Sequence, residues 1–239
     1  MSLQGKTALI TGGSKGIGLG VAEAMLAEGM SIVITGRSEV TLNNVFSRLN
    51  ASYPGKVEIS AGDVRKMDDM VSAVRIANDK WGRLDVVIAN AGIGHFASIQ
   101  EMTEQQWHDV IDINLTGVFN TIKASVDALI NAKGYFISIA SLAGTNFFAR
   151  GAAYNASKFG LVGFTQAVML DLRQQGVKCS TIMPGSVATY FNNHIPNDAD
   201  AWKIQPEDIG QMVIDLLKIP ARTLPSKVEV RPAIPPSKS

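Results

Sequence analysis

Short runs of β-branched and apolar residues alternate along this chain with longer stretches of helical period. The runs predict strands over Thr7–Thr11, Ser31–Thr35, Val57–Ala61, Val86–Asn90, Tyr135–Ala140, Val177–Met183 and Val228–Arg231. Between them the period predicts helices over Gly16–Glu28, Glu39–Ser52, Met67–Trp81, Glu104–Asn131, Ala153–Gln175 and Glu207–Leu217. End signals agree with several of these limits. Thr103-x-x-Gln106 reads as a capping box, Ser38 as an N-cap, and Pro206 with Glu207 and Asp208 as a first turn suited to the helix dipole. Strand–helix alternation of this kind builds a doubly wound parallel sheet covered on both faces. Seven strands without an internal repeat predict one α/β domain over residues 1–239, ending in a Pro-rich tail, 232–239, that cannot continue a helix or an inner strand.

Composition narrows the function. With 22 Lys and Arg against 21 Asp and Glu, the formal charge is +1. That leaves no basic footprint for nucleic acid and no polybasic membrane patch. Cys179, the single cysteine, excludes an internal disulfide framework, and His95, His108 and His194 lack metal-ligand spacing, so no metal is expected. No apolar run approaches the roughly 18–20 residues that span a bilayer, and the first residues carry no apolar signal segment. A cytoplasmic location is the expectation.

The first strand runs directly into Thr11-Gly12-Gly13-Ser14-Lys15-Gly16-Ile17-Gly18 and then a helix. Glycines let the backbone approach a diphosphate closely, and the free N–H groups of the helix start attract its charge. The spacing is neither that of the common dinucleotide fingerprint nor that of a P-loop, so a merely tight strand-to-helix turn stays open. A protein selective for NAD usually places an acid at the end of the second strand, but here Thr35-Gly36-Arg37 stands there. Arg37, with Lys15, suits a 2′-phosphate, which favours NADP(H). NAD(H) with Glu39 as ribose acceptor is the competing reading, and two solvated surface charges the plainest one.

Tyr154-x-x-x-Lys158 lies within a predicted helix, where i, i+4 spacing brings both side chains to one face. A cation beside a phenol favours the phenolate and makes tyrosine a usable proton donor and acceptor. Alone, such a pair is a common surface arrangement. Ser141, thirteen residues upstream at a strand end, and Asn114, forty residues upstream in a helix, complete a more specific set.

At these residues the chain resembles the short-chain dehydrogenase/reductase family, from Thr7 to about Thr189. The resemblance rests on the loop Thr11–Gly18, Asp63-Val64, Asn90-Ala91-Gly92, Asn114, Ser141 with Tyr154 and Lys158, and Pro184-Gly185-x-Val187-x-Thr189. It implies a Rossmann-type fold and an NADP(H)-dependent oxidoreductase interconverting a carbonyl (ketone or 3-oxoacyl) and a secondary alcohol. In it Tyr154 would be the acid and base, Ser141 a donor to the substrate oxygen, and Asn114 the holder of a relay water. Lys158 would lower the Tyr154 pKa and bind the nicotinamide ribose. Gly12, Ser14, Lys15, Gly16, Ile17, Gly18 and Arg37 would hold the phosphates, with Asp63 on the adenine edge and Val64 beside the ring. Asn90, Ala91 and Gly92 would pack along the cofactor, and Pro184, Gly185, Val187 and Thr189 would face the nicotinamide.

Departures from the family pattern are Ala89 before Asn90, Ala140 before Ser141, and a final segment Leu224–Pro232 without the usual glycine-rich loop. The last bears on the homotetramer that the resemblance implies, leaving a dimer open. Specificity is expected in the loops Ile93–Ser98, Thr145–Arg150 and Tyr190–Gln205, which contain Phe96, Phe147, Phe148, Tyr190, Phe191 and Trp202. Those aromatics either line a pocket for an apolar or ring-bearing small-molecule carbonyl or pack under loops. His95 reads as a solvent-exposed loop histidine, and Tyr190–Gln205 as a short mobile segment. An NAD-dependent alcohol or sugar dehydrogenase is the alternative within enzymes. A nucleotide-sensing regulator that has lost the chemistry is the alternative outside them, and the full Asn114, Ser141, Tyr154, Lys158 set argues against it.

Overall fold

In the computed structural model, which describes residues 2–235, seven strands form one all-parallel sheet in the order β3-β2-β1-β4-β5-β6-β7. They are β1 (Thr7–Ile10), β2 (Ser31–Gly36), β3 (Val57–Ala61), β4 (Val86–Ala89), β5 (Tyr135–Ile139), β6 (Lys178–Pro184) and β7 (Lys227–Val230). The helices are α1 (Gly16–Ala27), α2 (Glu39–Ser52), α3 (Met67–Trp81), α4 (Glu104–Ile111), α5 (Gly117–Ala132), α6 (Ala152–Leu172) and α7 (Pro206–Lys218). Successive strand residues point to opposite faces, and the core divides accordingly. Ile10, Ile32, Ile34 and Ile88 pack on one face against Val21 and Met25 of α1, Leu42 of α2 and Val213 of α7. Leu9, Val33, Val87 and Ala89 pack on the other against Ala73 and Ala77 of α3, Val118 and Leu129 of α5 and Leu161 of α6. This is the doubly wound Rossmann-type arrangement expected from the alternation. Pro236–Ser239 of the expected tail lie outside the described residues.

Local chemistry explains the helix starts. The Ser38 hydroxyl accepts from the Thr41 N–H, Thr103 and Gln106 form the reciprocal capping box, and Pro206 opens α7. The long helix expected over Glu104–Asn131 is instead broken into α4 and α5 by a π-helical turn, Asp112–Thr116. Such one-turn widenings are invisible to a 3.6-residue period and collect at functional sites.

Two glycines let α1 and α7 touch backbone to backbone. A Cβ at Gly210 would stand 2.6 Å from the Gly20 carbonyl oxygen and 3.0 Å from the Ala24 Cβ. Helix propensity favours alanine by only about 1 kcal/mol, whereas forcing an atom against a backbone costs about 1–3 kcal/mol. Gly210→Ala is therefore expected to lower the Tm by several degrees, at about 2–4 °C per kcal/mol for a chain of this size. An unchanged Tm in a thermal melt would show that the helices have slack.

Candidate active site

The strand order reverses at β1, with β2 on one side and β4 on the other. A crevice opens at the carboxyl ends of strands at such a point. Here it is a cleft of about 1040 Å³ running from Arg37 to Tyr154. Its floor is the glycine turn. Gly12 and Gly16 take φ of +64° and +55°, a region that favours glycine, and a Cβ at Gly18 would stand 2.4 Å from the Gly12 carbonyl oxygen. The turn is braced from β4, because the Asn90 amide donates to the carbonyls of Thr11 (3.0 Å) and Gly12 (3.1 Å). The Thr11 hydroxyl in turn accepts from the Asn90 and Ala91 N–H groups. Among the described residues no side chain caps α1, whose N-cap residue is Lys15, and its first residues, Gly16 and Ile17, line the cleft. A glycine cradle, an uncapped helix start and a long cleft fit a dinucleotide diphosphate.

At the β2 end, Arg37 and Lys15 both line the cleft and both are exposed. Among the described residues neither has an ion-pair partner, and the Lys15 ammonium lies 5.9 Å from the centre of the Tyr190 ring. Glu39 occupies the first turn of α2, behind the Ser38 cap. On the neighbouring turn Arg65 clasps Asp63, with Nε at 3.0 and 3.1 Å and Nη2 at 2.6 Å from its oxygens. That guanidinium holds the Asp63 carboxyl below its ordinary pKa, so it stands as an acceptor at neutral pH. Val64 is fixed beside it by the Asn120 amide, which donates to the Val64 carbonyl at 2.9 Å. Arg65 lines the cleft and was not among the residues singled out from sequence. Its signal was only its place directly after Asp63-Val64.

At the other end, α6 carries Tyr154 and Lys158 on one face, and the Lys158 ammonium lies 5.7 Å from the centre of the Tyr154 ring. Lys158 is buried and donates to the Ile139 carbonyl at 3.0 Å, and burial pulls its pKa down to about 8. Tyr154 is pushed up by burial, and only the Ser141 hydroxyl opposes that shift. The expected lowering of the phenol by Lys158 is thus not what this arrangement produces. The cation faces the ring and is held by a main-chain carbonyl, and desolvation dominates. Ser141 opens a 3₁₀ turn and accepts from the Ala143 N–H at 3.1 Å. Asn114 lies in the π-helical turn, fully buried. Its amide brackets the Ile93 backbone, accepting from the N–H and donating to the carbonyl at 2.9 Å each, and donates to the Ser157 hydroxyl at 3.0 Å. Both side-chain donors are therefore engaged in bracing the β4 loop and α6. A second brace was missed from sequence: the Asn155 amide donates to the carbonyls of Ala143 and Asn146 at 2.8 Å each and so ties the Ser141 loop to α6.

Of the other expected site residues, Ser14, Ile17, Asn90, Ala91, Gly92 and Thr189 line the cleft. Gly18 packs under the turn instead. Pro184, Gly185 and Val187 do not line it either: Pro184 ends β6, Gly185 donates to the Val230 carbonyl at 2.7 Å, and Val187 bridges to Ile204. Phe96 and Phe191 pack on Tyr154, Phe148 packs on Phe96, and Phe147 projects outward at 86% exposure. His95 lines the cleft 4.0 Å from the Asp109 carboxylate. The Tyr190–Gln205 segment is pinned by buried Asp200, which meets His194 and Lys203 at 2.5 Å each. Cys179 is buried on β6 with its thiol pushed up to about 12, which suits a packing residue.

A cleft with a glycine cradle at one end and Tyr154 and Lys158 at the other, with Ser141 beside them, fits the class of dinucleotide-binding oxidoreductases. A family model described as short chain dehydrogenase matches residues 6–200, and the chain belongs to that family of oxidoreductases. It is similar to a D-beta-hydroxybutyrate dehydrogenase of Cupriavidus necator, at 35% identity over 78% of this chain and 72% of the relative. Among solved structures it resembles an alcohol dehydrogenase of the archaeon Thermococcus sibiricus complexed with 5-hydroxy-NADP, with a TM-score of 0.91, 27% identity and coverage of 98% and 99% of the two chains. It also resembles a metagenomic short-chain oxidoreductase in complex with NADP, with a TM-score of 0.84, 34% identity and coverage of 98% and 100%.

Proposed function

We propose that this protein is an NADP(H)-dependent oxidoreductase that interconverts a carbonyl and a secondary alcohol. The observation that carries the cofactor choice is Arg37, an exposed guanidinium without an ion-pair partner among the described residues, at the end of β2 where the ribose would lie. Lys15 stands on the same cleft, and Glu39 is committed to the first turn of α2, which argues against the NAD reading. The two structural neighbours holding NADP or its 5-hydroxy derivative support the same choice.

The nicotinamide dinucleotide supplies or takes the hydride when bound. The chain's residues do the rest. Tyr154, kept protonated by its burial, gives its proton to the carbonyl oxygen in reduction and accepts one in oxidation. Ser141 donates to the same oxygen as charge develops on it. Lys158 and Asn114 hold the site's shape through Ile139 and Ile93, and Gly92 runs close over both, since a Cβ there would lie 3.3 Å from the Asn114 amide oxygen and 3.7 Å from the Lys158 ammonium. Asp63 would accept from the adenine amine and Val64 pack beside the ring. A cytoplasmic location and a homo-oligomer belong to this reading. An apolar groove of about 340 Å³ between Leu115, Phe119 and Phe164 supports the second.

Parallel titration with NADPH and NADH tests the cofactor choice. Losing a charge-assisted contact to a phosphate costs about 1.5–3 kcal/mol, so Arg37→Ala is expected to weaken NADPH about 10- to 100-fold and leave NADH nearly unchanged. Equal loss for both cofactors would overturn the assignment of Arg37 to the 2′-phosphate.

A further inference from the structure

We propose that the site selects neutral, apolar, preferably ring-bearing ketones and rejects carboxylate-bearing ones, through a wall built by Phe96, Phe148 and Phe191. This rests on the reading above, in which Tyr154 protonates a carbonyl.

The three phenylalanines come from three separate loops; Phe96 and Phe191 meet the Tyr154 phenol, and Phe148 packs against Phe96. The Phe96 ring stands edge-on to Tyr154 at 5.5 Å between centres, and Phe191 lies on the same ring at 5.6 Å. Phe96 also meets Phe148 at 5.8 Å and Phe191 at 6.3 Å. Gly94 makes the convergence possible, because a Cβ there would fall 2.7 Å from the tip of Phe191 and 2.9 Å from that of Phe96. Phe148 and Phe191 remain 47% and 37% exposed, so their faces meet the medium from which a substrate arrives. A ketone whose oxygen reaches the Tyr154 hydroxyl from the cleft meets Phe191, which lines it, with Phe96 packed against both Phe191 and Tyr154. Edge-to-face and offset contacts then favour an aromatic or branched apolar substituent over a small one.

The charges on the same loops point the same way. They carry two cations and two imidazoles, and each already faces a carboxylate: Arg150 with Glu101 at 3.2 Å, Lys203 and His194 with Asp200 at 2.5 Å each, and His95 with Asp109 at 4.0 Å. Lys158, close to the phenol, is engaged by the Ile139 carbonyl. Lys15, a cation unpaired among the described residues, stands over Tyr190 on the same cleft and is assigned to the 2′-phosphate of the cofactor in the reading above. A hydroxy or oxo acid entering beside Tyr154 would therefore bring its carboxylate among apolar rings whose own loops offer no unpaired cation, and such a group is disfavoured. Specificity by exclusion of this kind is as effective as added attraction.

The test compares kcat/KM for an aryl methyl ketone, 2-butanone and acetoacetate with NADPH, in the native protein and in Phe148→Ala and Phe96→Leu. The aryl ketone is expected to exceed acetoacetate by 100-fold or more, and each variant to lower the aryl-to-butanone ratio about tenfold. A merely structural role would lower both ketones together and leave that ratio in place. Acetoacetate as good as the aryl ketone, or a ratio unmoved in both variants, overturns the inference while leaving the reaction reading intact. Absence of turnover with all three compounds, alongside measurable NADPH binding, overturns the reaction reading and the inference with it.

Discussion

Tyr154→Phe is expected to cut turnover by about 10²- to 10⁴-fold, the span that a positioned general acid or base contributes, while leaving NADPH binding close to native. The substitution removes one oxygen and keeps the ring, so the contacts with Phe96 and Phe191 survive. The direction of the Tyr154 shift adds a pH dependence. Burial raises the phenol, and Ser141 only partly offsets this, so the proton is in place throughout the neutral range. Reduction should therefore run at an even rate from mildly acid to neutral pH and fall only in alkali, whereas alcohol oxidation, which needs the phenolate, should climb as pH rises. Parallel initial-rate profiles in the two directions check this. A native-like rate in Tyr154→Phe would remove the acid role, and identical profiles in both directions would show that another group carries the proton.

The order of strands and helices was legible because parallel strands buried on both faces write themselves as apolar runs, and α2, α3 and β3 fall at the expected limits. The glycine turn was legible for a different reason. Positive φ at Gly12 and Gly16 and the backbone approach at Gly18 admit few other residues, so the geometry leaves a direct trace in the sequence. What stayed hidden depends on contacts between distant segments. The π-helical turn that inserts Asn114 beneath Ile93 has no period of its own, and the Arg65 clasp on Asp63 is a surface pairing with no fixed spacing. The phenylalanine wall draws on positions 96, 148 and 191, which only the loops' paths bring together; the sequence left their packing and their lining roles equally open. Carboxyl-end placement of Pro184 and Gly185 was anticipated, but the pairing of Gly185 with β7 turns that stretch away from the cleft before Thr189 returns to it.

Lys158→Met separates stability from function. Lys158 is only 4% exposed, its ammonium has the Ile139 carbonyl as hydrogen-bond acceptor, and its pKa is drawn down from the ordinary lysine range to about 8. The unfolded chain therefore binds more protons than the folded one between about pH 8 and the ordinary lysine pKa of about 10.4, so native stability should rise with pH across that window. Below about pH 8 both states carry the charge and the folded state bears the full cost of burying it. Methionine keeps the length and the apolar stem without the charge, at the loss of one hydrogen bond worth about 1 kcal/mol. Desolvation of an ammonium outweighs that, so Lys158→Met is expected to be more stable than the native protein at pH 7, by about 1–2 kcal/mol, and to lose the alkaline rise in stability. Turnover should fall by about 10²-fold, because the hold of Lys158 on the Ile139 carbonyl, which helps to fix the end of β5 beside Tyr154, is lost. Chemical denaturation at pH 7 and pH 9.5, read beside initial rates, decides the matter. A variant less stable at pH 7 that keeps the alkaline rise would mean that the native lysine is compensated by its surroundings, and that its burial is not the source of the depressed pKa.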